Sequence, residues 1–596
     1  MSETKSATYA IGIDLGTTNC ALAASPLSGD QPAPSPFEVT QVIAPGEVRP
    51  EGLLPSFLYL PAPDELPPEA LDLPWAPGEG VAVGRFARER GASAPARLVS
   101  SAKSWLCHPG VDRRADILPW GAPEGVPRLS PLDASARYLR HLKAAWDAAH
   151  PGEPLDQQEV VLTVPASFDA VARDLTVEAA KKAGLPEDLR LLEEPQSALY
   201  AWLADQGPEW RKQLELGDVI LVCDIGGGTT DFSLIAVREE EGSLELERIA
   251  VGEHILLGGD NMDLALAYTV KARLEAEGKK LDDWQMRALT HGCRAAKEAL
   301  LSDDTKDKWP LVVPGRGSKL IGGTLKTELS RAELEATLLE GFFPKVDADA
   351  RPQAARRLGL STMGLPYASD AGITRHLAAF LGREGLERKG GHAFVHPTAI
   401  LFNGGVTRSP VLRDRIESIL TGWLEQDGGK APKVLEGADP DLAVGRGAAC
   451  YAHARQKGGL RIKGGTARAY YVGVERAELA VPGIPPQVDA LCIAPFGMEE
   501  GSEVELPETF GLHLGETAAF RFFGSGVRRE DDVGSVVDPG ELEELAPIET
   551  SLEGEAGLLV PVKLHARVTE VGTLELSAVQ DGNGRRWKLS FDVRVE

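Results

Sequence analysis

A short apolar strand that ends in Asp and runs into a Gly/Thr turn occurs twice in this chain. The copies are IGIDLGTTN, Ile11 to Asn19, and VILVCDIGGGTTD, Val219 to Asp231. Each places small residues and hydroxyls at a hairpin tip, where backbone N–H groups can wrap a phosphate chain. One such turn alone is also compatible with an ordinary Gly-rich hairpin. Two copies predict two related lobes closing on one polyphosphate. Gly16, Thr17, Thr18 and Asn19 form the first tip, and Gly226, Gly227, Gly228 and Thr229 the second. A carboxylate repels bare phosphate, so Asp14, Asp224 and Asp231 make chemical sense around Mg²⁺, mostly through its waters.

Composition narrows the partners. The 596 residues carry a net charge of −26, which argues against nucleic acid or an anionic membrane as the main partner. The start, MSETKSATYA, lacks the apolar core of a signal peptide, and no apolar run approaches the ~20 residues of a membrane span. Six dispersed cysteines without a CxxC pair fit a reducing cytoplasm.

Along the chain, residues 26 to 80 are Pro-rich, and composition predicts a loop or irregular excursion. Residues 133 to 149 have helical spacing, with Tyr138, Leu139, Leu142 and Trp146 on one face. VVLTVPASF is a buried strand and turn; DAVARDLTVEAAKKAGL is a helix stopped at Gly184. LRLLEEPQSALYAWL is a strand passing into a helix with Pro195 in its first turn. Strand and helix alternate, so a layered α/β body is expected. NGGVTRSP, Asn403 to Pro410, is a third Gly turn opening a helix, a setting that attracts anions and lets a base stack on flat backbone. Around QKGGLRIKGGT the texture changes. Beyond it run alternating segments such as ARAYYVGVE and RWKLSFDVRV, where Trp587, Leu589, Phe591, Val593 and Val595 point one way, as in an antiparallel β domain.

IDLGTTN, TVPASF, LLEEPQSALYA, DIGGGTTD, LLGGDNMD, CRAAKEAL, NGGVTRSP and DPDLAVGRGAA together resemble the 70-kilodalton heat-shock chaperones, the DnaK-like family, in order and spacing over nearly all of residues 7 to 455. The C-terminal stretch resembles that family's peptide-binding β sandwich more weakly, mainly at VTEVGTLELSA. The resemblance implies an α/β fold: an actin-like (ribonuclease H-like) two-lobed ATPase domain over residues 1–455, a linker over 456–468, and an antiparallel β-sandwich over 469–596. It also implies ATP or ADP with Mg²⁺ in the cleft, potassium ions beside the phosphates, slow hydrolysis, and unfolded or partly folded client proteins. A J-domain co-chaperone, a nucleotide-exchange factor and a role in protein folding under stress belong to the same expectation. Carried over, Lys103 is the catalytic lysine and Thr229 lies near the terminal phosphate, while Glu194 and Asp231 orient the attacking water. Asp14 and Asp224 serve the metal shell. Gly258, Gly259, Arg294, Lys297, Gly404, Gly405, Arg408 and Asp441 belong to the nucleotide pocket. Pro165 and Arg173 match positions that relay nucleotide state, and Arg190 a position of J-domain contact.

The chain departs from the family pattern in four places. In CRAAKEAL, Arg294 and Glu298 replace the usual acid and base of the adenine clamp, and a guanidinium stacks on a base where a carboxylate does not. Val406 stands for a hydroxyl residue. The linker stretch, GGLRIKGG, is basic and nearly without leucine where the family has an acidic, leucine-rich strip. The helical lid that follows the β domain in the family is missing, so faster peptide release is expected. Alongside the chaperone reading stand two others. One is a non-cycling ATP-binding regulator or exchange partner of another chaperone. The other is a small-molecule kinase on the same fold, which would need a substrate-side base.

Overall fold

In a computed structural model, the described residues are 7–589 apart from 78–79, 109, 241–242, 304, 314, 316–323, 354–363, 387–392, 438, 459–461, 464–465, 467, 477–485, 499–500, 516, 526–527, 529, 552–556, 570–573 and 581–584. Two six-stranded mixed sheets repeat one local plan. In the first, Tyr9–Leu15 pairs antiparallel with Asn19–Pro26 through the first Gly/Thr hairpin and parallel with Glu159–Val164. In the second, Val219–Ile225 pairs antiparallel with Thr230–Glu240 and parallel with Ala399–Asn403. The strands are apolar on both faces, with Ala10 and Ile11 of the first sheet and Val222 and Cys223 of the second fully buried, because helices cover both sides.

The helices Glu194–Gln206 and Ala443–Lys457 lie between the sheets. Their Leu199, Trp202, Ala448 and Ala452 share one core with Ala10 and Val161 of the first sheet and Ile220, Val222 and Leu401 of the second. The contact is close enough to need glycine. A Cβ on Gly12 would stand 2.1 Å from Gly445 O, and one on Gly447 1.7 Å from Ser197 O. On the outer side of the second sheet, Gly259–Ala276 and Asp283–Ser302 pack with Arg331–Gly341 and Pro410–Gln426 into the largest apolar cluster.

The Pro-rich stretch differs from its expectation. Val39–Ala44 and Glu47–Glu51 form a hairpin turned by Pro45 and by Gly46 at φ 74°. Leu58–Tyr59 pairs with both Ala82–Val83 and Leu98–Val99. Val42, Phe57, Tyr59, Leu71 and Phe86 give this layer its own small core. The prolines flank strands whose apolar residues carry the fold, so composition hid the pattern. Gln41 is fully buried and satisfied at both ends, donating to Leu53 O at 2.8 Å and accepting from Arg85 N at 2.9 Å.

Helix 133–149 begins two residues earlier, at Pro131, capped by Ser130, whose Oγ accepts from Asp133 N. From Ala469 on, the described strands make a five-stranded and a four-stranded sheet, every pairing antiparallel. Tyr470, Leu491 and Phe522 of one meet Leu506, Val562 and Leu576 of the other in a common core, which Trp587 joins. Phe591, Val593 and Val595 lie outside the described residues. Among the described residues no α-helix follows Lys457.

The basic stretch after that helix is not bare connection. Ile462–Lys463 joins the second sheet as its edge strand, parallel to Ser243–Val251 in the register Leu246↔Ile462. The Ile462 N–H donates to the Tyr200 hydroxyl at 2.6 Å, and its side chain is buried in the core between the sheets.

Candidate functional site

The two hairpin tips meet at one end of a cavity of about 1100 Å³. A Cβ on Gly227 would lie 1.9 Å from Thr18 Oγ1, and one on Gly228 2.6 Å from Thr17 Cγ2, so only glycine lets the tips approach this far. Gly226 N–H donates to Thr229 O at 2.9 Å and closes the second turn. The first turn is braced by Ser56: its Oγ donates to Gly16 O at 2.7 Å and its N–H to Thr18 O at 2.9 Å. Tyr138 in turn donates its hydroxyl to Ser56 O. Nothing in the sequence pointed to Ser56, a lone serine inside a Pro-rich stretch.

Each hairpin presents its aspartate in the same way. Asp14 accepts from Thr163 Oγ1 at 3.3 Å, and Asp224 from Asn403 Nδ2 at 2.7 Å. In both cases the donor is the residue in register on the parallel neighbour strand. Lys103, from the short helix Ala102–Leu106, ion-pairs with Glu194 at the first turn of Glu194–Gln206, both side chains nearly buried. Burial, then the Glu194 charge, pushes Asp14 up to about 7 and Asp224 up to about 8. The Glu194 carboxyl is raised too, because its burial outweighs the Lys103 charge. Lys103 is held above its ordinary value: burial opposes its charge, but Glu194 and Asp14 outweigh that.

Among the predicted residues, Asp14, Gly16, Thr17, Thr18, Asn19, Lys103, Glu194, Asp224, Gly226, Gly227 and Thr229 line this end of the cavity. Gly259, Arg294, Lys297, Gly404, Gly405, Arg408 and Asp441 line the rest. Gly228, Gly258 and Asp231 do not. Gly258 sits behind the second tip, where a Cβ would meet Gly226 O at 2.6 Å. Asp231 Oδ1 instead accepts the Ser167 hydroxyl and lies 3.5 Å from His254 Nδ1. Burial opposes the Asp231 charge, but the His254 hydrogen bond and charge hold its carboxyl below the ordinary range. Asp14 and Asp224 thus belong to the cavity wall, while Asp231 lies outside that lining with its Oδ1 already engaged.

At the opposite end, Arg408 pairs with Asp441, and Gly404 turns at φ 83° where a Cβ would strike Ile225 O at 2.4 Å. Arg294 bonds Asp260 and, through Nε at 2.7 Å, Asp263, so its guanidinium is held on the helix Gly259–Ala276. Lys297 Nζ donates to Gly259 O at 2.9 Å and pairs with Asp263 at 2.7 Å.

The Hsp70 protein family matches residues 119–350. A chaperone protein HscA homologue of Acidithiobacillus ferrooxidans is 31% identical over 458 residues, 75% of this chain and 58% of that protein. The chaperone protein HscA of Pectobacterium carotovorum is 30% identical over 455 residues, 74% of this chain and 58% of its own length. A Pseudomonas putida HscA homologue is 29% identical over 457 residues, covering 74% and 57% respectively. The chain belongs to the 70-kDa heat-shock protein family. It spans somewhat under three fifths of the length of these curated relatives.

Within this Hsp70-family chain the donor set fits a divalent cation. Three carboxylates, Asp14, Glu194 and Asp224, crowd the cavity wall around the Lys103 ammonium, and all three are raised toward protonation when nothing else compensates them. Among the described residues no three acidic, His or Cys side chains converge closely enough to ligate a metal unaided. Contact through water and phosphate oxygens is what such a set supports. The buried Thr18 Oγ1, Ser409 Oγ and Asn403 Oδ1 have no hydrogen-bond partner and all belong to residues of the cavity wall, the condition of a site built for a polar ligand. No helix of the described residues is long and apolar enough to cross a membrane.

Proposed function

We propose that this chain is an ATP-dependent chaperone, with an actin-like two-lobed nucleotide domain over residues 1–455 and a client-binding β domain over 469–596, joined through 456–468. The observation that carries the nucleotide half is the meeting of both hairpin tips with the Lys103–Glu194 pair at one cavity end. Backbone N–H groups and the Thr17, Thr18 and Thr229 hydroxyls would hold the phosphates. Lys103 would take up charge on the terminal phosphate, and Glu194 would orient the attacking water; positioning and charge stabilisation suffice for slow phosphoryl transfer to water. Asp231 acts from behind, through its field on Lys103 and Glu194. Mg²⁺, arriving with the nucleotide and held through its waters by Asp14 and Asp224, would neutralise phosphate charge. Arg408, Asp441, Gly404 and Gly405 would receive the nucleoside, with Lys297 at its far side.

For Arg294, the ion pairs to Asp260 and Asp263 favour a bracing role over free stacking on adenine. The client half rests on the two-sheet domain and on family membership. A J-domain partner at Arg190 and an exchange factor belong to the same proposal. The test is ATP turnover by the full chain, with and without an unfolded peptide. Peptide-stimulated turnover supports the chaperone. Tight ATP binding with negligible turnover replaces it with the nucleotide-holding regulator.

A further inference from the structure

One cysteine differs from the rest. Cys20, Cys223, Cys293, Cys450 and Cys492 are buried, whereas Cys107 is partly exposed. It caps the C-terminus of Ala102–Leu106, and its N–H donates to Lys103 O at 3.3 Å. Its Sγ lies 3.4 Å from His254 Nε2 and 3.2 Å from Ser104 O. The other ring nitrogen of His254 is held as well: Nδ1 is 2.7 Å from Ser167 Oγ, and Ser167 donates its hydroxyl hydrogen bond to Asp231. Phe168 meets the ring edge-on at 6.0 Å and 78°. The result is a line of thiol, imidazole, hydroxyl and carboxylate, each in hydrogen-bond reach of the next, assembled from four separate segments.

That order has chemical content. With Nδ1 held by Ser167, the other ring nitrogen, Nε2, faces the sulfur. A thiol with an adjacent imidazole whose far side is fixed by a carboxylate is the arrangement of an activated nucleophile, and partial exposure gives a reagent access. The ATP reading uses none of these features of Cys107.

We propose that Cys107 is a covalent modification site, a reactive thiol that takes small disulfides of the glutathione class. With its proton on His254 Nε2, the Cys107 sulfur attacks one sulfur of the disulfide. A new S–S bond forms, the old one breaks, and the departing thiolate takes the proton from His254. Cys107 is oxidised by the two electrons that reduce the reagent, and no further oxidant enters. An adduct on Sγ cannot keep the 3.4 Å contact, so His254 loses its hold on the turn that carries Lys103. Reduced ATP turnover follows. That consequence rests on the ATP reading; the modification does not.

The experiment treats the native full chain with oxidised glutathione and follows all six cysteines by peptide mass spectrometry, with ATP turnover in parallel. Cys107 is expected to be modified at least tenfold faster than each other cysteine, and faster than Cys107 in urea-denatured chain. His254→Gln should slow that modification about tenfold in the native chain and leave the denatured rate unchanged. Cys107→Ser should keep basal turnover within twofold and make it insensitive to the reagent. A native Cys107 no faster than the denatured one overturns the site, and so does an unchanged rate in a folded His254→Gln. Modification without loss of turnover overturns the link to the nucleotide centre. If the untreated chain shows no turnover, the ATP reading fails while the modification rates still decide the thiol.

Discussion

Glu193 and Glu194 are consecutive residues that serve different networks. Glu193, at the end of Arg190–Glu193, is clamped in a buried triad between Arg173 at 2.9 Å and Arg248 of the second sheet. Glu194, the first residue of the next helix, takes Lys103 at the cavity wall. The triad ties the first lobe to the second, since Arg248 comes from Ser243–Val251.

Removing the inner carboxylate strands two buried guanidiniums. Glu193→Ala should lower stability by about 3–5 kcal/mol, read by chemical denaturation. Glu194→Gln keeps volume and hydrogen bonding, so it should cost much less stability and instead depress ATP turnover. Equal destabilisation by both would contradict the division of labour between them.

Lys103→Ala should reduce turnover by about 10²–10³-fold, the usual cost of losing one preorganised charge at a developing anion. ATP affinity, supplied mainly by the hairpins, should survive, as measured by calorimetry. Wild-type turnover in this variant would remove Lys103 from the chemistry.

Gly227→Ala places a methyl where Thr18 now stands. The tips must separate, and nucleotide affinity should fall at least ~10-fold, about 1.4 kcal/mol. Circular dichroism should be unchanged, because the residue lies at a turn outside every strand. Unaltered affinity would show that the tips do not close on the ligand.

Stability should depend on pH through Asp14 and Asp224. Their carboxyls are raised from 3.8 to about 7 and about 8, so the contribution is complete below their ordinary value and is lost as pH rises through 7 to 8. Without nucleotide, the denaturation midpoint should decline from pH 5 to pH 9. ATP with Mg²⁺ should flatten that decline by stabilising the charged forms. A flat profile for the free chain would mean that the two carboxylates are better solvated than their burial implies.

The strand–turn–helix order was legible because it is local. VVLTV, the Gly184 stop and the Gly/Thr hairpins each announce themselves within a few residues. Lys103 read by itself is a solvated lysine and Glu194 a first-turn partner of the helix dipole; only the family resemblance gave them catalytic roles, and the fold brings both to one wall. Ser56 and His254 left no such trace. Ser56 braces Gly16 from forty positions away, and His254 reaches Ser167 across 87, so neither belongs to a pattern a short window can show. The anchoring of Arg294 by Asp260 and Asp263 was hidden for the same reason: it crosses between two helices. The Pro-rich stretch misled because proline frequency outweighed the few apolar residues that make its strands.

The two-residue strand Ile462–Lys463 is moored by its main chain and by the buried side chain of Ile462. Peptide groups recognise peptide groups whatever side chains they bear, so a basic, leucine-poor segment can occupy this berth as readily as an acidic, leucine-rich one. It also caps a sheet border that would otherwise offer a row of open amides to a passing chain. Detaching the tail of the molecule would thus expose a sticky seam, and the cost of that exposure would favour keeping it fastened.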